Sequence, residues 1–161
     1  ERESADPEAE SRQALVKWQI AYTTNSKLKV SEVFDFTAPN EPLVFARVRE
    51  LESSEINSVS YNSLRDAIVP ITSLLNGDDP SAPDFEILAD EEIVEKGARG
   101  VQTVYSFSID GINQTINQTA LVANDRSTIY IFVVRCESKC YDKNQKKIDE
   151  IVSSFTVQGA K

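Results

Sequence analysis

Histidine is absent from the 161-residue chain. Without an imidazole there is no Ser-His-Asp or Cys-His nucleophile arrangement, no His-ligated zinc, and no side chain whose ordinary pKa lies near neutrality. Few catalytic routes are left, and the expectation is a protein that is not an enzyme. Glycine is scarce: five residues are scattered in turns, and none forms a phosphate-cradling loop. No pair of acids is placed for glycosidase chemistry. No apolar run approaches the roughly 20 residues that span a bilayer, and the start at Glu1 lacks the charged, apolar and small-residue succession of a signal peptide. Methionine is missing throughout, as expected of a trimmed product from which a targeting segment has been removed.

What is present is acid. With 26 acids against 17 bases the net charge is −9, which repels phosphate backbones and anionic membrane surfaces. Nucleic acid and direct lipid binding are therefore set aside. The length suits one domain that buries roughly two-thirds of its surface without staples. Residues 1–13 are charged and almost free of large apolar groups, so they are expected to be a flexible lead-in to a single domain over residues 14–161.

The centre of that domain lies between Gly100 and Val134. Val101-Gln-Thr-Val-Tyr-Ser-Phe-Ser-Ile109 alternates with period two, and Asp110-Gly111 is a strong hairpin signal, since both turn residues need positive φ. A two-residue turn fixes the register: Ile109 faces Ile112, Tyr105 faces Ile116 and Val101 faces Ala120. A second turn at Asn124-Asp-Arg-Ser127 leads into Thr128-Ile-Tyr-Ile-Phe-Val-Val134. That strand is apolar on both faces and must be covered on both.

Around this meander, Leu15, Trp18 and Tyr22 fall at helical spacing and predict a short docked helix over Ala14 to Tyr22. Trp18 then reads as a packing anchor, with a partner-binding hot spot as the sharper alternative. Lys29 to Phe36 and Leu43 to Leu51 read as strands separated by Pro39-Asn-Glu-Pro42. In the second, Leu43, Phe45 and Arg47 share one face, and Val44, Ala46 and Val48 the other. Ser60 to Gly77 has helical spacing and an Asn76-Gly77 cap, but Pro70 demands a kink or break. Phe85 to Glu95 is expected as a strand, followed by a turn over Lys96 to Gly100. Asp142 to Ser154 is expected as the last helix, with Asp142 and Gln145 as a capping box and Ile148, Ile151, Val152 and Phe155 as its buried stripe.

Chemistry has few candidates. Asp78, Asp79, Asp84, Asp90, Glu91 and Glu92 are the acids a calcium ion would find, but their spacing fits no EF-hand loop and reads as a solvated face. No metal site and no cofactor are expected. Asn113 and Asn117 each begin an Asn-Gln-Thr triplet that fits the glycosylation sequon, yet both lie within a strand, where modification is not expected. Cys136 and Cys140, the only thiols, cannot make a zinc site by themselves; a sharp turn would bring them within disulfide range. An exposed bridge beside Lys139 would be reducible, which keeps a redox role open. Lys139, Lys143, Lys146 and Lys147 form one concentrated basic patch, either an ordinary solvated face or a docking surface for an acidic partner.

Several stretches resemble the PsbP family, the extrinsic thylakoid-lumen proteins of photosystem II, and its PsbP-domain relatives. They are the strand Ser127-Thr-Ile-Tyr-Ile-Phe, the Lys-rich Tyr141-Asp-Lys-Asn-Gln-Lys-Lys and the finish Val152-Ser-Ser-Phe-Thr-Val157. Ser58-Val-Ser-Tyr61, leading into the helix that ends Leu74-Leu-Asn-Gly77, is similar to the family's helix after its first sheet segment. The resemblance covers residues 43–158. It fails around Lys29 to Phe36, which lacks the family's Gly-aromatic, Tyr-Pro and Trp signature strand. No histidine or related position tied to metal contacts in the oxygen-evolving subunit has a counterpart. The resemblance is therefore to a divergent paralogue. It implies an α+β fold, a central antiparallel β-sheet with helices on both faces (an α/β/α sandwich). It also implies a non-enzymatic protein of the chloroplast thylakoid lumen, monomeric when free, that assists assembly, stability or regulation of a photosynthetic membrane complex. The alternatives are a redox-responsive lumenal protein acting through Cys136 and Cys140, and an extracytoplasmic ligand-binding domain marked by an apolar pocket between sheet and helix.

Overall fold

The structure, a computed structural model, describes residues 14–29, 32–33, 39–77 and 79–158. It is built outward from the Asp110-Gly111 turn, where φ is 52° and 79°, the left-handed values that a two-residue hairpin needs. That turn joins β4 (Ala98–Ile109) to β5 (Ile112–Ala123) in the expected register, with Ile109 opposite Ile112, Tyr105 opposite Ile116 and Val101 opposite Ala120. β6 (Thr128–Glu137) follows antiparallel to β5, after a turn in which Arg126 has φ 59°. Arg126 is held there by donating to the carbonyls of Ile56 and Val59, at 2.6 and 3.0 Å.

Three further strands complete a six-stranded antiparallel sheet: β1 (Val16–Thr23), β2 (Leu43–Glu50) and β3 (Phe85–Glu95), in the order β1-β2-β6-β5-β4-β3. One face packs Phe45, Val101, Tyr105, Ile116, Ile131 and Val133 under the short helices α1 (Tyr61–Arg65) and α2 (Ile71–Asn76). The other packs Ala46, Phe132 and Val134 under α3 (Ser138–Ser154), which brings Tyr141, Ile148 and Val152. Helices thus cover both faces of β6, as its uninterrupted apolar run required. The fold is α+β. Leu43, Phe45 and Arg47 share the α1 face, while Val44 and Ala46 face α3, as their alternation predicts.

Pro70 divides residues 60–77 into two helices and caps the second, and Gly77 ends it with φ 68°. Ser60 and Ser63 form a capping box at the start of α1. Four expectations are corrected. Residues 16–23 are a strand, because Val16, Trp18, Ile20 and Tyr22 repeat at period two and find β2 as a partner, with Tyr22 opposite Val44 and Trp18 opposite Val48. Trp18 is not a core anchor: it is 51% exposed. The turn before β4 is confined to Lys96 and Gly97. The last helix begins at Ser138 with Glu137 as its N-cap, so Asp142 lies inside the helix, and Ile151 stands 37% exposed on its rim. The strand expected over Lys29 to Phe36 falls mostly outside the described residues; Glu32 and Val33 form a tight turn. The lead-in, residues 1–13, lies outside them altogether.

α1 is tied to β3 and β4 by charge. Arg65 donates to Asp90 at 2.7 Å, and the Thr103 hydroxyl donates to the same carboxylate at 2.9 Å. The Arg65 bond, ahead of the Thr103 bond, holds the Asp90 carboxyl below its ordinary range. A depressed folded-state pKa gives stability that is present above the unfolded value, about 3.9, and is lost as pH falls through the depressed one. Asp90→Asn is therefore expected to lower stability at pH 6 and to leave it closer to wild type at pH 2.5, as read from urea midpoints at the two pH values. Equal destabilisation at both would contradict the linkage.

Candidate functional site

α3 lies across β5 and β6 and reaches Ala46 and Val44 of β2, leaving Trp18 and Tyr22 of β1 exposed at the edge of its face. Its start is set by Cys136 at the end of β6 and Cys140 in the first turn, whose sulfurs meet at bonding distance with their Cα atoms 5.9 Å apart. Ser138 adds a 2.9 Å hydroxyl bond to Thr115 of β5. At the far end Phe155 stacks on Phe132, ring centroids 4.7 Å apart. Between these anchors the Tyr141 hydroxyl accepts from Asn117 at 3.1 Å, and Asn117 in turn accepts from Gln102 at 3.2 Å. Burial is the main cause that raises the Tyr141 phenol above its usual pKa. Asn117 is 2% exposed and committed to this seam, so a glycan has no room there; Asn113 is exposed.

The edge of the face carries Trp18, Ile20 and Tyr22 on alternate positions of β1: Ile20 packs against the core, while Trp18 and Tyr22 stand exposed, Tyr22 at 62%. A groove of about 580 Å³ runs between this strip and α3, lined by Tyr22, Pro42, Val44 and Ile151, with Lys143 and Lys147 along its helix wall. Lys139, Lys143, Lys146 and Lys147 are all exposed. At about 100° per residue Lys139, Lys143 and Lys146 share one side of the helix and Lys147 turns toward the groove. The opposite flank is acidic: Asp142 and Asp149 join Glu91 of β3 around a polar cleft of about 280 Å³. α3 thus divides its face into a basic, apolar side and an acidic, polar one.

Three of the acids named as calcium candidates are occupied locally. Asp90 is bonded to Arg65 and Thr103, Glu92 accepts from the Tyr61 hydroxyl, and Asp79 accepts from Ser81. Asp78 is outside the described residues, and among the described residues no group of three or more His, Cys, Asp or Glu gathers as a metal site.

The bridge is buried and not exposed as the redox alternative required: Cys136 is 0% and Cys140 8% exposed. It closes a loop of sequence separation 4. So short a loop constrains the unfolded chain little, and Cys136→Ala/Cys140→Ala is expected to cost about 2 kcal/mol. Thermal unfolding of the double variant, compared with the oxidised chain, checks this; an unchanged melting temperature would contradict it.

The lysine patch and the cysteine pair were legible as sequence features, and the structure sets them side by side on the first turns of α3, Cys140 buried and Lys143 exposed on the wall of the same groove. The groove was not legible, since it needs β1 as a strand. Its signal was the alternation of Trp18, Ile20 and Tyr22.

No protein-family profile matches the chain, and no curated protein is similar to it in sequence. Solved structures are similar in shape. A Pseudomonas aeruginosa protein of unknown function, described as a candidate regulator, superimposes with a TM-score of 0.56 at 10% identity, over 88% of this chain and 83% of that one. LpqN of Mycobacterium tuberculosis, involved in cell envelope biogenesis, gives 0.43 at 13% identity, over 68% of this chain and 57% of its own. Cyanobacterial PsbP from Synechocystis gives 0.37 at 15% identity, over 86% and 81%. The first shares the fold. The other two superimpose more loosely.

Proposed function

We propose that this protein is a non-enzymatic docking module acting outside the cytoplasm, which holds an acidic protein partner against the groove between β1 and α3. The observation that carries the proposal is the placement of Lys143 and Lys147 on the wall of an apolar groove in a chain whose net charge is −9. A basic patch on an acidic body orients an acidic partner and speeds its approach, while the apolar strip beside it supplies the area to hold it. The finer reading rests on the sequence resemblance to the PsbP family: a protein of the thylakoid lumen that assists assembly, stability or regulation of photosystem II or a related complex.

Inside-out thylakoid vesicles, which present the lumenal face, test both levels. The protein is expected to sediment with them and not with right-side-out vesicles. Lys143→Glu/Lys147→Glu is expected to weaken retention about tenfold, as is raised salt. Equal retention on both orientations, or recovery as a free monomer, would overturn the lumenal reading; retention indifferent to the charge reversal would overturn the docking site. The groove volume, about 580 Å³, also suits a small ligand and favours an extracytoplasmic ligand-binding domain as the second reading. Native mass spectrometry of the purified protein separates the two, since a retained small molecule would displace the first. Burial of both sulfurs weighs against the redox alternative.

A further inference from the structure

The sheet has two edges, and they are not alike. Both edge strands carry a bulge, β3 between Ile87 and Ala89 and β1 between Val16 and Trp18, so the difference is charge: β3 is defended by Glu86, Asp90, Glu91, Glu92 and Glu95 within its span. Charges and bulges are how sheet edges avoid pairing with other chains. β1 carries one charged residue in Val16–Thr23, Lys17, and that ammonium is paired with Glu50 at 3.0 Å. Among the described residues β1 pairs on one side only, with β2. Beyond its bulge β1 pairs regularly over residues 18–23, which carry no charge, and such an edge is a template for another strand.

We infer that the partner docks by strand addition: an extended, acidic segment of another protein pairs along β1 and becomes a seventh strand of the sheet. The inference rests on the docking function proposed above and specifies how the partner is held. Alternate side chains of the added strand would continue the face that carries Trp18, Ile20 and Tyr22, in front of the groove. The charges there decide the chemistry of the occupant. Lys143 and Lys147 line the groove and Lys139 and Lys146 stand beside them, against one carboxylate in the lining, Glu41, which accepts from the Thr24 hydroxyl at 2.6 Å, so the positive charges are in excess. Carboxylates on the added strand complement this surface. A second copy of the chain and an anionic bilayer are both disfavoured by the −9 charge each would meet.

Trp18 is the sole tryptophan and lies on β1, half exposed, so it reports the event directly. The probe is a synthetic eight-residue peptide alternating valine with glutamate, capped at both ends, with a lysine-for-glutamate version as control. Main-chain bonds supply most of the affinity in strand addition, so a generic sequence suffices. The acidic peptide is expected to shift Trp18 emission to the blue and to slow amide exchange within residues 16–23. Lys143→Glu/Lys147→Glu, shown to be folded by circular dichroism, is expected to bind it about tenfold more weakly. Lysine-dependent binding that leaves β1 exchange unchanged would overturn strand addition while sparing the docking function. Strand addition without retention on inside-out vesicles would do the reverse. The inference also fails if the lysine peptide binds equally, if neither peptide binds at millimolar concentration, or if phosphatidylglycerol vesicles give the Trp18 shift. It fails as well if the protein self-associates through β1, or if only a chain lacking residues 1–13 binds.

Discussion

Gly100→Ala is expected to cost more than about 3 kcal/mol and to leave little folded protein at 37 °C, because the added carbon has nowhere to go. A Cβ at Gly100 would run into the carbonyl oxygen of Ala120 and lie 2.8 Å from both the Ala120 carbonyl carbon and the Leu121 Cα. Those are backbone atoms of β5, and no rotamer change relieves them. Gly100 pairs with Leu121, and both Leu121 and the neighbouring Ala120 are completely buried, so separating the strands opens the centre of the sheet. Gly111 is the control. A Cβ there meets nothing within 4 Å, and the cost is only the strain of φ 79°. Gly111→Ala is therefore expected to lose about 1 kcal/mol. Urea denaturation of both variants checks the contrast; a Gly100 variant within 1 kcal/mol of wild type would show that β5 can yield.

The same hairpin was the most legible part of the sequence, for a local reason. Asp110 and Gly111 determine the turn, the turn determines the register, and every pair back to Val101 opposite Ala120 follows without reference to the rest of the chain. Coverage of β6 on both faces followed equally simply from its unbroken apolar run. β1 was not legible, because two periods coexist in it. Leu15, Trp18 and Tyr22 satisfy a helical stripe, and Val16, Trp18, Ile20 and Tyr22 satisfy a strand. What decides between them is pairing with β2, a contact across a connection that local pattern does not encode. The start of α3 failed in a related way. Asp142 and Gln145 resemble a capping box, but the Cys136 to Cys140 link and the Ser138 bond to Thr115 begin the helix directly off β6. Missing both β1 and the true start of α3 hid the groove, which exists only between them.

The repeat Ile112-Asn-Gln-Thr-Ile-Asn-Gln-Thr119 looked like a pair of sequons, and in the sheet it serves another purpose. Its period of four is even, so each residue type returns to the same face of β5. Asn117 and Thr115 reach up to α3, through Tyr141 and Ser138. Gln118 reaches down to α1. The duplication thus ties one strand to the helices on both sides.

Gln118→Leu is accordingly expected to destabilise the protein by about 3 kcal/mol, although leucine is apolar and close to glutamine in volume. Gln118 is 1% exposed; its amide donates to the carbonyls of Leu64 and Arg65 at 3.2 and 3.0 Å and accepts from the Tyr105 hydroxyl at 3.1 Å. α1 has only five residues, so its last carbonyls look outside the helix for partners: Leu64 accepts from the Ala67 N–H at 3.3 Å as well as from Gln118. Burial raises the Tyr105 phenol far above its usual pKa, which keeps it a neutral donor in need of an acceptor. Leucine removes the acceptor of the Tyr105 hydroxyl and the donor to Arg65, and leaves Leu64 only its backbone bond from Ala67. Tyr105→Phe removes that hydroxyl at source and alone is expected to cost about 1 kcal/mol, so the double variant should lose less than the sum of the single losses. Loosening α1 also loosens Arg65 from Asp90, and the acid-sensitive part of stability should shrink in the Gln118 variant. Additive losses, with the pH dependence unchanged, would mean that Gln118 only fills space.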